Sequence, residues 1–197
     1  AFAGIRPLVA PPDSSGGTAD ISREHQLNVS DTGLVTISGG KWTTYRKMAE
    51  DTINEAALHA GLEDRPSATK NLNIHGWHEH PEKFDDLAVY GSDAIPLREL
   101  MAERPALQEP LDERLPIRGG QVVWAVRHEM ARTVEDVLAR RTRCLLLNAQ
   151  ASIDVAPRVA ELMAEEMGHD ETWQKEQVEA YTSVAEGYLI EELTETA

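Results

Sequence analysis

The segment "ISGGKWTTYRKMAED", residues 37–51, joins two kinds of chain. Before it the sequence reads as β-strand and loop; after it the pattern is helical. At the junction lie Gly39, Gly40, Lys41 and the hydroxyls of Thr43 and Thr44. Glycines between a strand and a helix let the backbone approach a ligand closely. A helix entry offers N–H groups without intrahelical acceptors and the positive end of the helix dipole. Together these favour an anion, or a group that becomes negative. Lys41 adds a full positive charge. The same residues also suit an ordinary strand-to-helix connection in which the glycines serve only the turn.

Toward the N-terminus, "AFAGIRPLVA" (1–10) reads as a strand running into the loop "PPDSSGGTAD" (11–20). "EHQLNV" (24–29) and "LVTIS" (34–38) are strand-like, and "SDTG" (30–33) between them has turn chemistry. An antiparallel hairpin is expected there. A few strands cannot bury a core alone. Residues 1–40 are therefore expected to be the torn edge of a larger sheet domain. A first residue, Ala1, that is not an initiating methionine is read the same way. The opening residues also lack the basic start and cleavage site of a secretory leader.

Toward the C-terminus, Tyr45, Met48, Thr52, Ala56 and His59 recur at helical spacing, and Gly61 is a natural stop. Residues 62–81 read as a polar linker. Helices are expected near 83–90, 93–104, 120–129, 132–141, 144–151, 154–167 and 170–193. Ser152 or Asp154 is expected to cap one and Asp170 the last, with Pro157 in a first turn. Breaks at Gly91, "RPALQEP" (104–110), "RLPIRGG" (114–120) and Gly168 suit a multi-helix domain.

The chain has 197 residues, 41% of them hydrophobic, which suits a globular protein. No apolar run approaches the roughly 18 residues that span a bilayer. With 19 basic and 34 acidic residues the net charge is −15, which argues against a nucleic-acid partner. Residues 114–143 hold seven arginines, and residues 144–197 hold twelve acidic residues. Such neighbouring blocks point to surface complementarity within one domain. The lone Cys144 forms no internal disulfide, suits a reducing compartment and is expected to be a buried small hydrophobe.

Other candidates read as structural. "HGWHEH" (75–80) groups His75, His78, Glu79 and His80, but it lacks metalloenzyme helical spacing, so no metal is expected. His128 and Glu129 are expected to join a helix–helix ionic network with Arg132, Asp136 and Arg140 rather than act as an acid–base pair. Trp77, Trp124 and Trp173 are expected as core or interface anchors. Ser14 and Ser15 lack the partners of a nucleophile.

Several motifs in order resemble one family. "AGIRPL" (3–8), "SREH" (22–25) and "SGGKWTTYRKMAED" (38–51) resemble the end of the flavoprotein part of FAD-dependent glycerol-3-phosphate dehydrogenases and α-glycerophosphate oxidases. "VRHEMARTVEDVLARRTR" (126–143) resembles the signature of their C-terminal helical domain. The resemblance covers most of residues 1–60 and 114–170. It implies FAD as cofactor and sn-glycerol 3-phosphate as substrate. The product would be dihydroxyacetone phosphate, with quinone or oxygen as electron acceptor. It places Arg6 beside the flavin facing the substrate, Arg23 on the substrate phosphate, and Lys41 near both. The backbone of Gly39, Gly40, Lys41, Trp42 and Thr43 would border the flavin's pyrimidine edge. These roles are chemically apt. A lysine at a helix entry stabilises charge that develops during hydride transfer. Two arginines suit a phosphate dianion through forked, charge-assisted hydrogen bonds.

The departures are informative. The family's Gly-rich dinucleotide fingerprint is absent, as are its N-terminal substrate-binding histidine and arginine. Trp42 stands where leucine is commoner. The chain is therefore expected to be a C-terminal fragment, inactive alone and without bound FAD. It should be mainly α: a C-terminal multi-helix domain preceded by a short antiparallel β segment torn from a larger FAD-binding domain. Residues 1–61 would end the FAD/substrate domain, 62–81 link, and 82–197 form the helical domain. The missing N-terminal domain is the expected partner, with a homodimer and a cytoplasmic location, peripheral at the inner face of the cell membrane, as compatible expectations. The alternative is a non-catalytic helical module for assembly, membrane docking or partner binding.

Overall fold

In the computed structural model residues 24–189 are described; Arg6, Arg23 and the strand read at 1–10 lie outside them, and the helix expected over 170–193 already ends at Glu186. The protein is mainly α with one two-stranded antiparallel sheet. It divides into two units, one ending at Ile74 and one beginning at His75.

The first unit is a hairpin with one helix. β1 (His25–Val29) pairs with β2 (Val35–Gly39), His25 facing Gly39 and Leu27 facing Ile37. The turn forms where "SDTG" predicts it: Gly33 adopts φ 83°, and Ser30 Oγ accepts the Leu34 N–H at 3.1 Å. Leu27, Val29, Val35 and Ile37 alternate onto one face, as a period of two requires. Ile37 lines a hollow with Tyr45, Met48 and Ala49 of α1 (Tyr45–His59). Asp51 of α1 ties the helix to β1: its carboxylate meets His25 Nε2 at 3.1 Å and Lys47 Nζ at 2.7 Å. None of the described residues of this unit is buried. Ile53, Leu58, Leu62 and Leu72 are each at least 65% exposed.

The second unit holds the whole buried core of the described residues. α2 (Ala94–Glu103), α3 (Gly119–His128), α4 (Cys144–Leu147), α5 (Ala149–Met167) and α6 (Glu171–Glu186) surround Leu97, Ile117, Val123, Leu138, Val159 and Met163. α5 and α6 form an antiparallel hairpin. Gly168 ends α5 in the left-handed region at φ 73°, and Asp170 caps α6 by accepting the Trp173 N–H. Cys144 is fully buried, and desolvation pushes its thiol pKa up.

Four expectations need correction. The helix expected at 83–90 is a 3-10 segment, Pro81–Asp93, interrupted at Asp85 and Gly91. Gly91 packs directly on the Gly76 carbonyl, where a Cβ would sit at 1.7 Å, so the chain cannot wind on regularly. The helix expected at 132–141 is a π-helix over Asp136–Arg141. The boundary expected near 152 falls at Asn148, whose Oδ1 accepts the Ala151 N–H. Ser152 is instead buried inside α5 and Asp154 pairs with Arg114, so Pro157 sits in the helix interior. Trp77 is 54% exposed rather than core, whereas Trp124 is buried and Trp173 packs on the core.

Candidate functional site

β2 ends in two left-handed glycines, Gly39 (φ 73°) and Gly40 (φ 78°), that turn the chain into a 3-10 turn, Trp42–Thr44, and then α1. Gly39 is also required by the unit's own packing, whereas Gly40 lies against the flexible end of a side chain. A Cβ on Gly39 would meet the Glu24 carbonyl at 2.8 Å, and one on Gly40 would meet Met48 Sδ at 2.5 Å. The pair brings β1, β2 and α1 together; closeness to a ligand is not needed to explain them.

Lys41 precedes the turn in an extended conformation, φ −133° and ψ 152°. Thr44 Oγ1 donates to the Lys41 carbonyl at 3.0 Å and accepts the Lys41 N–H at 3.3 Å. This local clasp fixes the backbone and leaves the side chain outside. No ion pair among the described residues engages the Lys41 ammonium. Thr43 is exposed, and so is Trp42, at 87%, stacked on Tyr45 with ring centroids 5.8 Å apart. An exposed cation and an exposed aromatic pair thus share this junction. That donor set is chemically suited to an anionic group or a planar ring system.

The junction is held electrostatically from behind. Lys47, through a hydrogen bond, and His25 keep the Asp51 carboxyl below its usual range. Asp51 therefore stays charged and anchors α1 against the start of β1. That link was not anticipated; Lys47 and Asp51 at (i, i+4) were its one sequence signal.

The arginine-rich segment of the second unit is structural. Asp136 accepts the N–H groups of Arg132 and Thr133 at 2.9 and 3.1 Å, while Thr133 Oγ1 accepts the Asp136 N–H at 3.1 Å. This is a reciprocal capping box, and T-x-x-D was its signal. Burial opposes the Asp136 charge, but these N–H donors and Arg141 hold its pKa below the ordinary value. Arg132 donates to the Val126 and Ala131 carbonyls, and Arg141 to the Glu129 carbonyl at 2.7 Å. Two guanidiniums thus close the C-terminal end of α3.

The expected ionic network therefore includes Asp136, Arg140 and Arg141 but not the side chains of His128 and Glu129. His128 stacks on Trp124 at 4.0 Å. Glu129 Oε2 is buried without a partner, and burial raises its pKa. The complementarity of basic and acidic blocks is partial: Arg114 reaches Asp154 and Arg127 reaches Glu166, but Arg118 pairs with Asp86. In "HGWHEH" the histidines diverge: His75 bonds Asp93, His78 packs on Phe84 and His80 meets Glu82.

A model of the C-terminal domain of alpha-glycerophosphate oxidase matches residues 30–176. The chain belongs to this family. Glycerol-3-phosphate dehydrogenase, mitochondrial, of Homo sapiens is 37% identical over 199 residues, covering 91% of this chain and 27% of that protein. The Bos taurus protein is 36% identical with the same coverage. The enzyme SDP6 of Arabidopsis thaliana is 34% identical over 211 residues, covering 91% of this chain and 33% of its own length. The chain thus spans about a third or less of the length of these relatives. Among the described residues no helix is long and apolar enough to cross a membrane.

Proposed function

We propose that this chain is the C-terminal portion of an FAD-dependent oxidoreductase that converts sn-glycerol 3-phosphate to dihydroxyacetone phosphate, with quinone or oxygen as the final acceptor. The strand register carries this reading. His25 faces Gly39, so β1 begins, two residues after Arg23 in sequence, beside the junction that presents Lys41. The start of β1 and the exposed Lys41 cation thus lie at one end of the hairpin, where a positive charge suits a phosphorylated substrate.

FAD, when bound, supplies the hydride acceptor for C2 of the substrate. Lys41 and the N–H groups at the α1 entry would hold the negative charge that develops at the acceptor. Arg23 would clamp the phosphate and Arg6 would orient the reacting carbon. Trp42, Thr43 and the Gly39–Gly40 backbone would border the cofactor. The exposed apolar residues of the first unit supply a surface for the N-terminal FAD-binding domain, which would complete the site and shield it from water. The second unit, with its own core and an arginine-rich segment bound mostly to its own carboxylates and carbonyls, would serve as the accompanying helical module.

The test is kinetic, on the whole enzyme. Arg23→Ala is expected to raise the Michaelis constant by about one to two orders of magnitude, since a charged contact is worth about 1.5–3 kcal/mol. Lys41→Ala is expected instead to lower turnover and the rate at which glycerol 3-phosphate bleaches the flavin absorption band anaerobically. An unchanged Michaelis constant in Arg23→Ala, or unchanged flavin reduction in Lys41→Ala, would refute the assignment.

A further inference from the structure

We infer that His25 and Asp51 are positioning residues for the reaction proposed above: their hydrogen bond holds the turn that carries Lys41, and through Lys41 it sets the rate of hydride transfer. The inference rests on that functional reading, in which Lys41 holds the charge that develops at the acceptor. His25 opens β1 directly opposite Gly39 in the strand register. A Cβ added to Gly40 would lie 3.3 Å from the His25 Cβ, and one added to Gly39 would lie 2.8 Å from the carbonyl oxygen of Glu24. Residues 24 and 25 thus lie directly against the two left-handed glycines, and Lys41 is the next residue along.

From there the His25 ring reaches α1. Its Nε2 meets Asp51 Oδ2 at 3.1 Å, across 26 residues of sequence. Lys47 Nζ donates to the other carboxylate oxygen, Oδ1, at 2.7 Å. Lys47 and Asp51 lie one helical turn apart on the same face, so this bond aims the carboxylate. With Oδ1 held, Oδ2 is left for β1. An ionised carboxylate only accepts, so the imidazole donates from Nε2. Lys47 and His25 both keep the Asp51 carboxyl below its usual range, and the acceptor stays charged.

Apolar packing alone holds this junction loosely. Ile37 shares its hollow with Tyr45, Met48 and Ile53, but Tyr45 is 52% and Ile53 67% exposed. Such contact constrains the rotation of α1 and its slide along the hairpin weakly; a hydrogen bond between a ring and an aimed carboxylate constrains both, because it is directional. Lys41 lies between the elements so joined. Gly40 links it to the end of β2, and the Thr44 clasp ties its backbone to the entry of α1. A shift of α1 against β1 therefore moves the Lys41 ammonium. Stabilisation of developing charge depends steeply on placement, and a misplacement of about 1 Å can cost about a hundredfold in rate. His25 and Asp51 are themselves partly open to solvent, so water replaces the lost bond at little cost in stability. Loss of the pair is thus read in rate more than in folding.

Anaerobic flavin reduction by glycerol 3-phosphate, followed in the whole enzyme, tests this. His25→Ala and Asp51→Ala should each slow it about tenfold or more, with the melting temperature little changed. The steady-state Michaelis constant should move by less than about threefold, since the loss falls on the transition state. His25→Gln, whose amide N–H can still donate to Asp51, should keep most of the wild-type rate. Adding His25→Ala to Lys41→Ala should slow reduction no further than Lys41→Ala alone, because His25 acts through Lys41. A wild-type rate in His25→Ala, a His25→Gln variant as slow as His25→Ala, or losses that multiply in the double variant would each overturn the inference. With Lys41→Ala slow, any of these outcomes leaves the functional reading standing. Flavin reduction unchanged in Lys41→Ala would fell that reading and this inference together.

Discussion

The two units of this chain solve the same packing problem to different degrees. The second buries Leu97, Leu138, Val159 and Met163 almost completely and closes its helix ends with its own side chains. The first has a correct hairpin, a well-formed helix and a fixed junction, yet buries nothing completely among its described residues. Its apolar positions lie on surfaces that its own residues do not cover. Local rules alone, turn chemistry, period-two alternation and helical spacing, are enough to form its elements. They do not make a core. The contrast separates a unit with a buried core of its own from one without, among the described residues, and it is the exposed one that carries Lys41.

The largest way to break this contrast is to remove core volume from each unit in turn. Leu97→Ala or Leu138→Ala should destabilise the second unit by about 2–5 kcal/mol, the usual cost of truncating a fully buried leucine. Ile53→Ala or Leu58→Ala in the first unit, at positions 67% and 73% exposed, should change stability by less than about 0.5 kcal/mol. Urea unfolding of the 197-residue chain, followed by circular dichroism, measures both. Equal losses in the two units would mean that the first has a core of its own.

A second comparison sets one polar hub against the other. Asp136 serves two backbone N–H groups and the Arg141 guanidinium at partly buried positions. Asp51 serves His25 and Lys47 at a more open site. Asp136→Ala leaves donors and a cation unpaired and should cost about 1–3 kcal/mol. Asp51→Ala should cost clearly less than Asp136→Ala, because solvent takes over its partners. The same urea experiment ranks them, and a reversed order would sink the account of the arginine-rich signature as a structural clasp.

The legibility of the sequence follows the same division. The hairpin was readable because "SDTG" fixes the turn and both strands alternate. α2, α3 and α6 were readable from spacing and from Asp170. The failures occur where tertiary contacts override local pattern. Nothing in "PEKFDDLAVYGSD" announces that Gly91 must fit against the Gly76 carbonyl. The π-helix at Asp136–Arg141 carries Arg141, whose guanidinium reaches back to the Glu129 carbonyl, a contact no periodicity encodes. At the candidate site, Lys41 and its glycines stood out by residue type. The packing reason for Gly39 did not: it lies in the Glu24 carbonyl, which approaches only after folding.

The smallest expected effect is the sharpest test of how the second unit treats a buried charge. Burial raises the Glu129 pKa above its model-compound value of 4.5, against the lowering influence of Arg141 and with a further rise from Asp93. One carboxyl oxygen has no partner. A carboxyl with a raised folded-state pKa binds its proton more tightly when folded than when unfolded. Its favourable contribution is fully present below the unfolded pKa and is lost as pH rises through the folded one. Above that point the ionised side chain opposes folding. Glu129→Gln, which keeps the shape and removes the charge, should therefore raise the melting temperature at neutral pH and change it little below pH 4.5. The gain should grow with pH across the interval between the two pKa values and then level off. Asp51→Asn should behave oppositely, because its folded pKa is lowered: the loss should appear at neutral pH and vanish as pH falls below 3.8. Thermal unfolding of the two variants between acid and neutral pH reads both signs in one series. A Glu129→Gln variant less stable than wild type at neutral pH would mean that the Glu129 carboxylate is a wanted charge in the folded bundle, and that it has a polar role at the end of α3.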